Sequence, residues 1–274
     1  MFALVLLVRC RGYLECWDGW SWKAWTGWKT MLKLGTAGVM GNMGQWWSWE
    51  IAAGMAGNLG ETPLAAHSVL QNVGFFTFPL TFGISTAATV RIGTLLGAGR
   101  GSMARTTSRA ALTVAAALCV FIVCALVGLR SYWPRLYSPD PGVLGLAAQL
   151  APVYAVYQVL TGFNFSLGGI LNGCGRQQIN ANIGIVCWCA CPFRPSCTDA
   201  LDTWPFTDTG CARRRYVVGL PSGAVLCFLL AGGIFGLWWG LSLGLCFSVS
   251  VLACVVSRMD WQEQADKATA RAKK

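Results

Sequence analysis

The chain alternates long apolar runs with short polar or basic segments. Ala110–Leu129 carries no charge, and neither does Gly232–Val256, which is rich in Gly and Leu and precedes Arg258. Each is close to the ~20 residues an α-helix needs to cross a bilayer. Met31–Asn58 is a third run, glycine-rich and interrupted by one carboxylate, Glu50. Thr62 followed by Pro63 reads as an N-cap with proline at the first helical position, opening a fourth helix that runs to about Ala88. Val143–Leu171 is a fifth, more polar than the others, with Gln149, Gln158, Thr161 and Asn164 inside it and Pro152 expected to kink it. A sixth has to be assembled from Ile179–Val186 and Tyr216–Leu230. The pattern predicts an all-α membrane protein, a bundle of about six transmembrane helices spanning residues 31–256. Residues 1–30 then form an N-terminal cytoplasmic or linker segment and residues 257–274 a cytoplasmic tail.

The segment Cys187–Arg215 breaks the pattern. It holds Pro192, Pro195 and Pro205, three aspartates, four arginines and five cysteines, and it divides what is otherwise one apolar helix. A bilayer core does not accommodate lipid-exposed irregular backbone with this charge density, so the segment is expected to loop out.

Composition removes the soluble alternatives. Hydrophobic residues make up 55% of the chain and charged residues only 12%, about half of what a soluble globular protein carries. The net charge of +10 does not indicate a nucleic-acid partner, because the basic residues lie between apolar runs rather than in a stripe on a soluble segment. Counted on alternate sides of the spans, fifteen Lys and Arg fall on one face and only Arg130 and Arg135 on the other, leaving aside the four arginines of 187–215. The positive-inside rule then places both termini in the cytoplasm. Five of the thirteen cysteines (Cys119, Cys124, Cys227, Cys246 and Cys254) fall within apolar runs, where a thiol acts as a small hydrophobe rather than as part of a disulfide scaffold. Met1–Val8 has no basic region before it and is followed by Arg9 and Arg11, the reverse of a signal peptide.

Glu50 is the one acidic residue inside an apolar run. A charge at membrane depth costs at least ~2.5–3.5 kcal/mol and marks an ion or proton path more often than not. The plainer reading is a carboxylate at the interface beside Trp46, Trp47 and Trp49. Gln71 and Asn72 in the next helix, with Gln158, Thr161 and Asn164 in the fifth, either line a hydrated cavity with Glu50 or join helices by hydrogen bonds. His67, the only histidine, is read as structural rather than as a relay. Cys187, Cys189, Cys191, Cys197 and Cys211 lack zinc-site spacing and a neighbouring histidine, so no metal is expected. Gly93–Gly101 reads as a turn between spans, since it lacks the Lys-Ser/Thr pair of a phosphate loop. No catalytic motif is present, so neither enzymatic activity nor a cofactor is expected.

Several segments in order resemble one family. Leu64-Ala-Ala-His67-Ser, Gly83-Ile-Ser-Thr-Ala-Ala-Thr-Val-Arg91-Ile-Gly93 and Leu96-Gly97-Ala-Gly99 resemble the region of the eighth helix in eukaryotic multidrug and toxic compound extrusion (MATE) transporters. Gly169-Ile-Leu-Asn-Gly173-Cys-Gly175-Arg176-Gln177 resembles the end of their tenth helix, Tyr216-Val-Val-Gly219-Leu-Pro221 the eleventh, Gly236-Leu-Trp-Trp-Gly240 the twelfth, and Asp260-Trp261 the start of the tail. The resemblance implies one six-helix lobe, the C-terminal one, of a twelve-helix antiporter. That family exports organic cations, xenobiotics or metabolites in exchange for protons or sodium. It places Glu50 on the coupling and substrate-binding carboxylate of the seventh helix and Asn72 on a polar position of the eighth. Thr161 stands where plant-type members often carry an aspartate, which leaves Glu50 to act alone.

The family has no counterpart of 187–215, and removing it joins Val186 to Tyr216 in one continuous helix. The segment is therefore read as a retained intron or a misplaced exon boundary. Two functional readings follow. One is a multi-pass antiporter of the plasma membrane or an organelle, working by alternating access on a small organic substrate with a proton or sodium as coupling ion. The other is an incomplete gene product that inserts without transporting or requires a separate N-terminal lobe.

Overall fold

A computed structural model describes residues 49–177 and 232–272 together with positions 28, 46, 47, 179, 180, 183 and 227. Two units are distinguished, Met1–Val39 and Met40–Lys274, and everything below concerns the second. The segment 187–215 and nearly all of the sixth expected span lie outside the described residues, as does most of the first span before Trp49.

The described chain is helical. Helix α1 covers residues 49–58, α2 Glu61–Gly97, α3 Gly101–Gly128, α4 Pro141–Gly173, α5 Gly233–Ser257 and α6 Trp261–Ala272. A short 3₁₀ turn, Trp133–Leu136, links α3 to α4. Helices α2 to α5 are each long and apolar enough to cross a membrane. Their outward faces carry exposed apolar side chains such as Phe75, Phe76 and Leu80 on α2 and Val114, Val120 and Phe121 on α3, as lipid contact requires.

Helix ends depart from the sequence expectation in an informative way. Thr62 does not cap α2. Gly60 takes the N-cap position with φ 121°, a conformation in which a side chain is strained, and its carbonyl accepts the Leu64 N–H at 3.2 Å. Pro63 thus falls third in the first turn of the helix, where its missing N–H has no intrahelical acceptor to lose. At the far end α2 continues past Ala88 to Gly97, and α3 begins at Gly101 rather than near Ala110. Arg91, Arg105 and Arg109 end the apolar runs without ending the helices. The turn itself is confined to residues 98–100: Arg100 N–H bonds Leu95 O at 2.9 Å and Gly99 N–H bonds Leu96 O at 3.0 Å. With Gly99 at φ 73°, this is a Schellman termination. The end of α4 repeats it, through Arg176 N–H to Leu171 O at 2.9 Å and Gly175 N–H to Asn172 O at 3.0 Å.

At its other end α4 starts cleanly. Asp140 accepts the Gly142 N–H at 3.0 Å, and Pro141 occupies the first helical position. From there α4 runs through the middle of the bundle and packs on α2, α3 and α5. Its approach to α2 depends on small residues. A Cβ added at Gly169 would meet the Ser85 carbonyl oxygen at 2.4 Å, and one at Gly173 would meet that of Thr89 at 2.8 Å. The closeness lets the Thr89 hydroxyl donate to Gly169 O at 2.9 Å, the small-residue logic of membrane helix pairs.

Two apolar cores result among the described residues. The larger draws on α1 to α5, with Leu70, Leu150, Tyr154, Leu237 and Trp238 completely buried. The second lies at the end of the bundle bearing the α2–α3 turn, where Ile92, Leu96, Leu171 and Leu252 meet Trp261 and Ala265 of α6.

Candidate functional site

The sequence-selected residues lie on three helices, α1, α2 and α4. Glu50 stands exposed near the start of the described part of α1. Its neighbour Trp49 fixes that helix to α4: the Trp49 ring meets Tyr157 edge-on, centroids 5.9 Å apart at 80°. Gln71 is half-buried on α2, and Asn72 is exposed beside it. Asn72 returns its amide to its own helix, donating to Ser68 O at 3.0 Å.

On α4 the polar residues divide between two neighbours. Gln158 is buried and donates its amide to the Thr77 hydroxyl of α2. Asn164 donates to the Ser248 hydroxyl of α5 at 2.7 Å. Thr161, between them, turns back on its own helix and donates to Tyr157 O at 2.9 Å. Gln158 and Asn164 therefore act as bonds between helices in this conformation, the second of the two roles open to them from sequence alone. Tyr157, Thr77 and Ser248, the partners, were not singled out by hydropathy. Their signal is weak because tyrosine and hydroxyl residues are unremarkable in a membrane helix until a partner is placed opposite.

The centre of the lobe is aromatic. Trp238 of α5 contacts Tyr154 at 5.0 Å and 83°, Tyr157 at 5.3 Å and 76°, and His67 of α2 at 5.2 Å and 35°. His67, Tyr154 and Trp238 are completely buried. Both His67 ring nitrogens, the Tyr154 hydroxyl and the Trp238 Nε1 lack a hydrogen-bond partner among the described residues. His67 is thus part of the packed core, in keeping with a structural rather than a relay role.

Chemically, this arrangement offers one carboxylate, Glu50, on a helix pinned to the polar row of α4. Among the described residues no group of three or more His, Cys, Asp or Glu side chains is placed to hold a metal ion.

Comparison with known proteins agrees with this architecture. The fold matches a eukaryotic MATE transporter crystal structure (AtDTX14) with a TM-score of 0.75 at 22% identity, over 92% of this chain and 51% of that one. It also matches the MATE transporter ClbM in complex with Rb⁺, TM-score 0.70 at 13% identity, over 89% of this chain and 51% of the other. In sequence the chain is 26% identical to mouse multidrug and toxin extrusion protein 1 over 99% of its own length and 43% of the relative's. It is likewise 26% identical to the human protein of that name, over 98% and 43%. The chain thus spans less than half the length of these relatives. The MatE family model matches residues 38–191, more than half of the chain, and the protein belongs to the MatE family.

Proposed function

We propose that the chain forms the C-terminal lobe of an antiporter that exports small organic cations, xenobiotics or metabolites in exchange for protons or sodium, with both termini cytoplasmic. Glu50 is the coupling carboxylate, Gln71, Asn72 and Thr161 provide the polar surface along which substrate or ion moves, and Gln158 and Asn164 hold α4 to α2 and α5 beside it. The observation that carries this reading is the attachment of α1 to α4 through Trp49 and Tyr157. It ties the Glu50 backbone to the helix bearing the largest share of these polar groups. A change in the charge of Glu50 can then bias how α1 sits on α4, and such a bias is what coupling requires: the two charge states must favour different conformations. Rocking of one lobe against another supplies the alternating access.

The test is Glu50→Gln in the full chain, reconstituted in proteoliposomes with a pH or sodium gradient. Gradient-driven uptake of a fluorescent organic cation is expected to fall to background while insertion and thermal stability stay unchanged. Uptake at the unaltered rate would overturn the role of Glu50.

A further inference from the structure

We infer that the end of the bundle bearing the α2–α3 turn binds anionic phospholipid through Arg91, Arg105 and Arg109. The starting point is a mismatch of lengths. Helix α3 has 28 residues, but only Ala110–Gly128 is free of charge, and that part alone matches the ~20 residues of a bilayer crossing. Gly101–Arg109 therefore continues beyond the hydrocarbon for roughly 13 Å at 1.5 Å per residue. Helix α2, at 37 residues, overshoots in the same direction. Because a turn of residues 98–100 joins the two ends, their depths can be compared. Measured back from that turn, Arg105 lies roughly 6 Å along α3, Arg91 roughly 9 Å along α2 and Arg109 roughly 12 Å along α3. The three arginine positions fall within one band about 6 Å deep along the helices, where the hydrocarbon gives way to headgroups.

All three are exposed, and Arg105 and Arg109, four residues apart, share a face of α3. None has a carboxylate within ion-pair distance among the described residues, where the one ion pair is Lys267–Glu263 at 2.5 Å. Of the acids at the start of α6, Asp266 is exposed and makes no ion pair with these arginines, and the other two are engaged. Asp260 caps α6 by accepting the Gln262 N–H at 2.9 Å, and Glu263 is taken by Lys267. Arg100 and Arg258, also exposed, and half-buried Arg176 add charge at the same end. Helix α6 packs its Trp261 and Ala265 into the second core. Unpaired guanidiniums at headgroup depth are matched by phosphodiester oxygens, which accept two parallel N–H bonds from one arginine.

The experiment compares thermal unfolding of the full chain in nanodiscs of phosphatidylcholine with and without phosphatidylglycerol. The anionic lipid is expected to raise the midpoint by on the order of a few degrees. The rise should vanish in the combined variant Arg91→Gln, Arg105→Gln, Arg109→Gln and persist in Arg130→Gln, Arg135→Gln at the opposite end. An equal rise in both variants overturns the assignment. So does an equal rise from inorganic phosphate added to phosphatidylcholine discs, which would mark a free-phosphate site. Should the triple variant fail to fold, native mass spectrometry of the unaltered protein from mixed-lipid discs decides. Retained phosphatidylglycerol enriched over its bulk share supports the site, and retention at the bulk share overturns it.

Discussion

The hydroxyl of Tyr154 on α4 occupies the space that a side chain at Gly74 on α2 would need: a Cβ there would lie 2.6 Å from it. The same Cβ would be 4.0 Å from the Trp49 ring of α1, so three helices meet at this glycine. Tyr154 is completely buried and held by Trp238 and Tyr157, which leaves the ring no room to retreat. Gly74→Ala is therefore expected to destabilise the lobe by ~1–3 kcal/mol through overpacking. Tyr154→Phe removes a buried hydroxyl that has no partner among the described residues, and so should be neutral or mildly stabilising. Combined with Gly74→Ala it should recover most of the loss. Thermal unfolding in detergent of the two single variants and the double variant checks all three outcomes.

Two other glycines separate packing from helix propensity. At Gly169 a Cβ would lie 2.4 Å from a backbone oxygen, Ser85 O, whereas at Gly83 nothing lies within 4 Å. Backbone cannot move aside as a flexible side chain can. Gly169→Ala should push α4 from α2, stretch the bond from the Thr89 hydroxyl to Gly169 O and cost ~3 kcal/mol or more. Gly83→Ala, in open space within α2, should stabilise by ~0.5–1 kcal/mol because alanine loses less backbone entropy than glycine. Opposite signs in thermal unfolding are the expected result.

What could be read from sequence follows this division. Hydropathy marks where lipid begins and ends, so Ala110–Leu129 and Gly232–Val256 were legible as spans. Helix ends were not, because Arg91, Arg105 and Arg109 leave the hydrocarbon while remaining helical. The start of α2 was misplaced because a Thr-Pro pair mimics a cap, whereas the backbone of Gly60 takes that position. Polar residues in the spans were visible as anomalies. Their partners were not, since the pairing of Gln158 with Thr77 and of Asn164 with Ser248 depends on how each helix is rotated. The aromatic centre was hidden most completely: His67, Tyr154 and Trp238 lie far apart in sequence, and nothing local relates them.

The two interhelical side-chain bonds make a direct test of glue against cavity lining. Double-mutant cycles on Gln158–Thr77 and Asn164–Ser248 should each give a coupling energy of ~0.6–1.7 kcal/mol, the range for side-chain hydrogen bonds in membrane bundles. A residue used for substrate instead shows little coupling and loses transport without losing stability. Thermal unfolding together with uptake assays on Gln158→Leu and Asn164→Leu distinguishes these outcomes for each residue separately.

Cys174 provides a test of the second core that does not depend on transport. It follows the end of α4 and is buried, and burial pushes its thiol up to about 11, with the charge of Arg176 pulling part of the way back. The thiolate is the reactive form, so near neutral pH Cys174 should react with maleimide far more slowly than an ordinary cysteine. Its rate should rise about tenfold per pH unit until the pH passes the thiol pKa. Arg176→Gln removes the charge that favours the thiolate, so it should raise the pKa further and slow labelling at every pH below it. Peptide-resolved mass spectrometry of labelling against pH reads both effects. Rapid modification of Cys174 at neutral pH, or faster labelling in Arg176→Gln, would show that the α4 end is not packed into the second core as described.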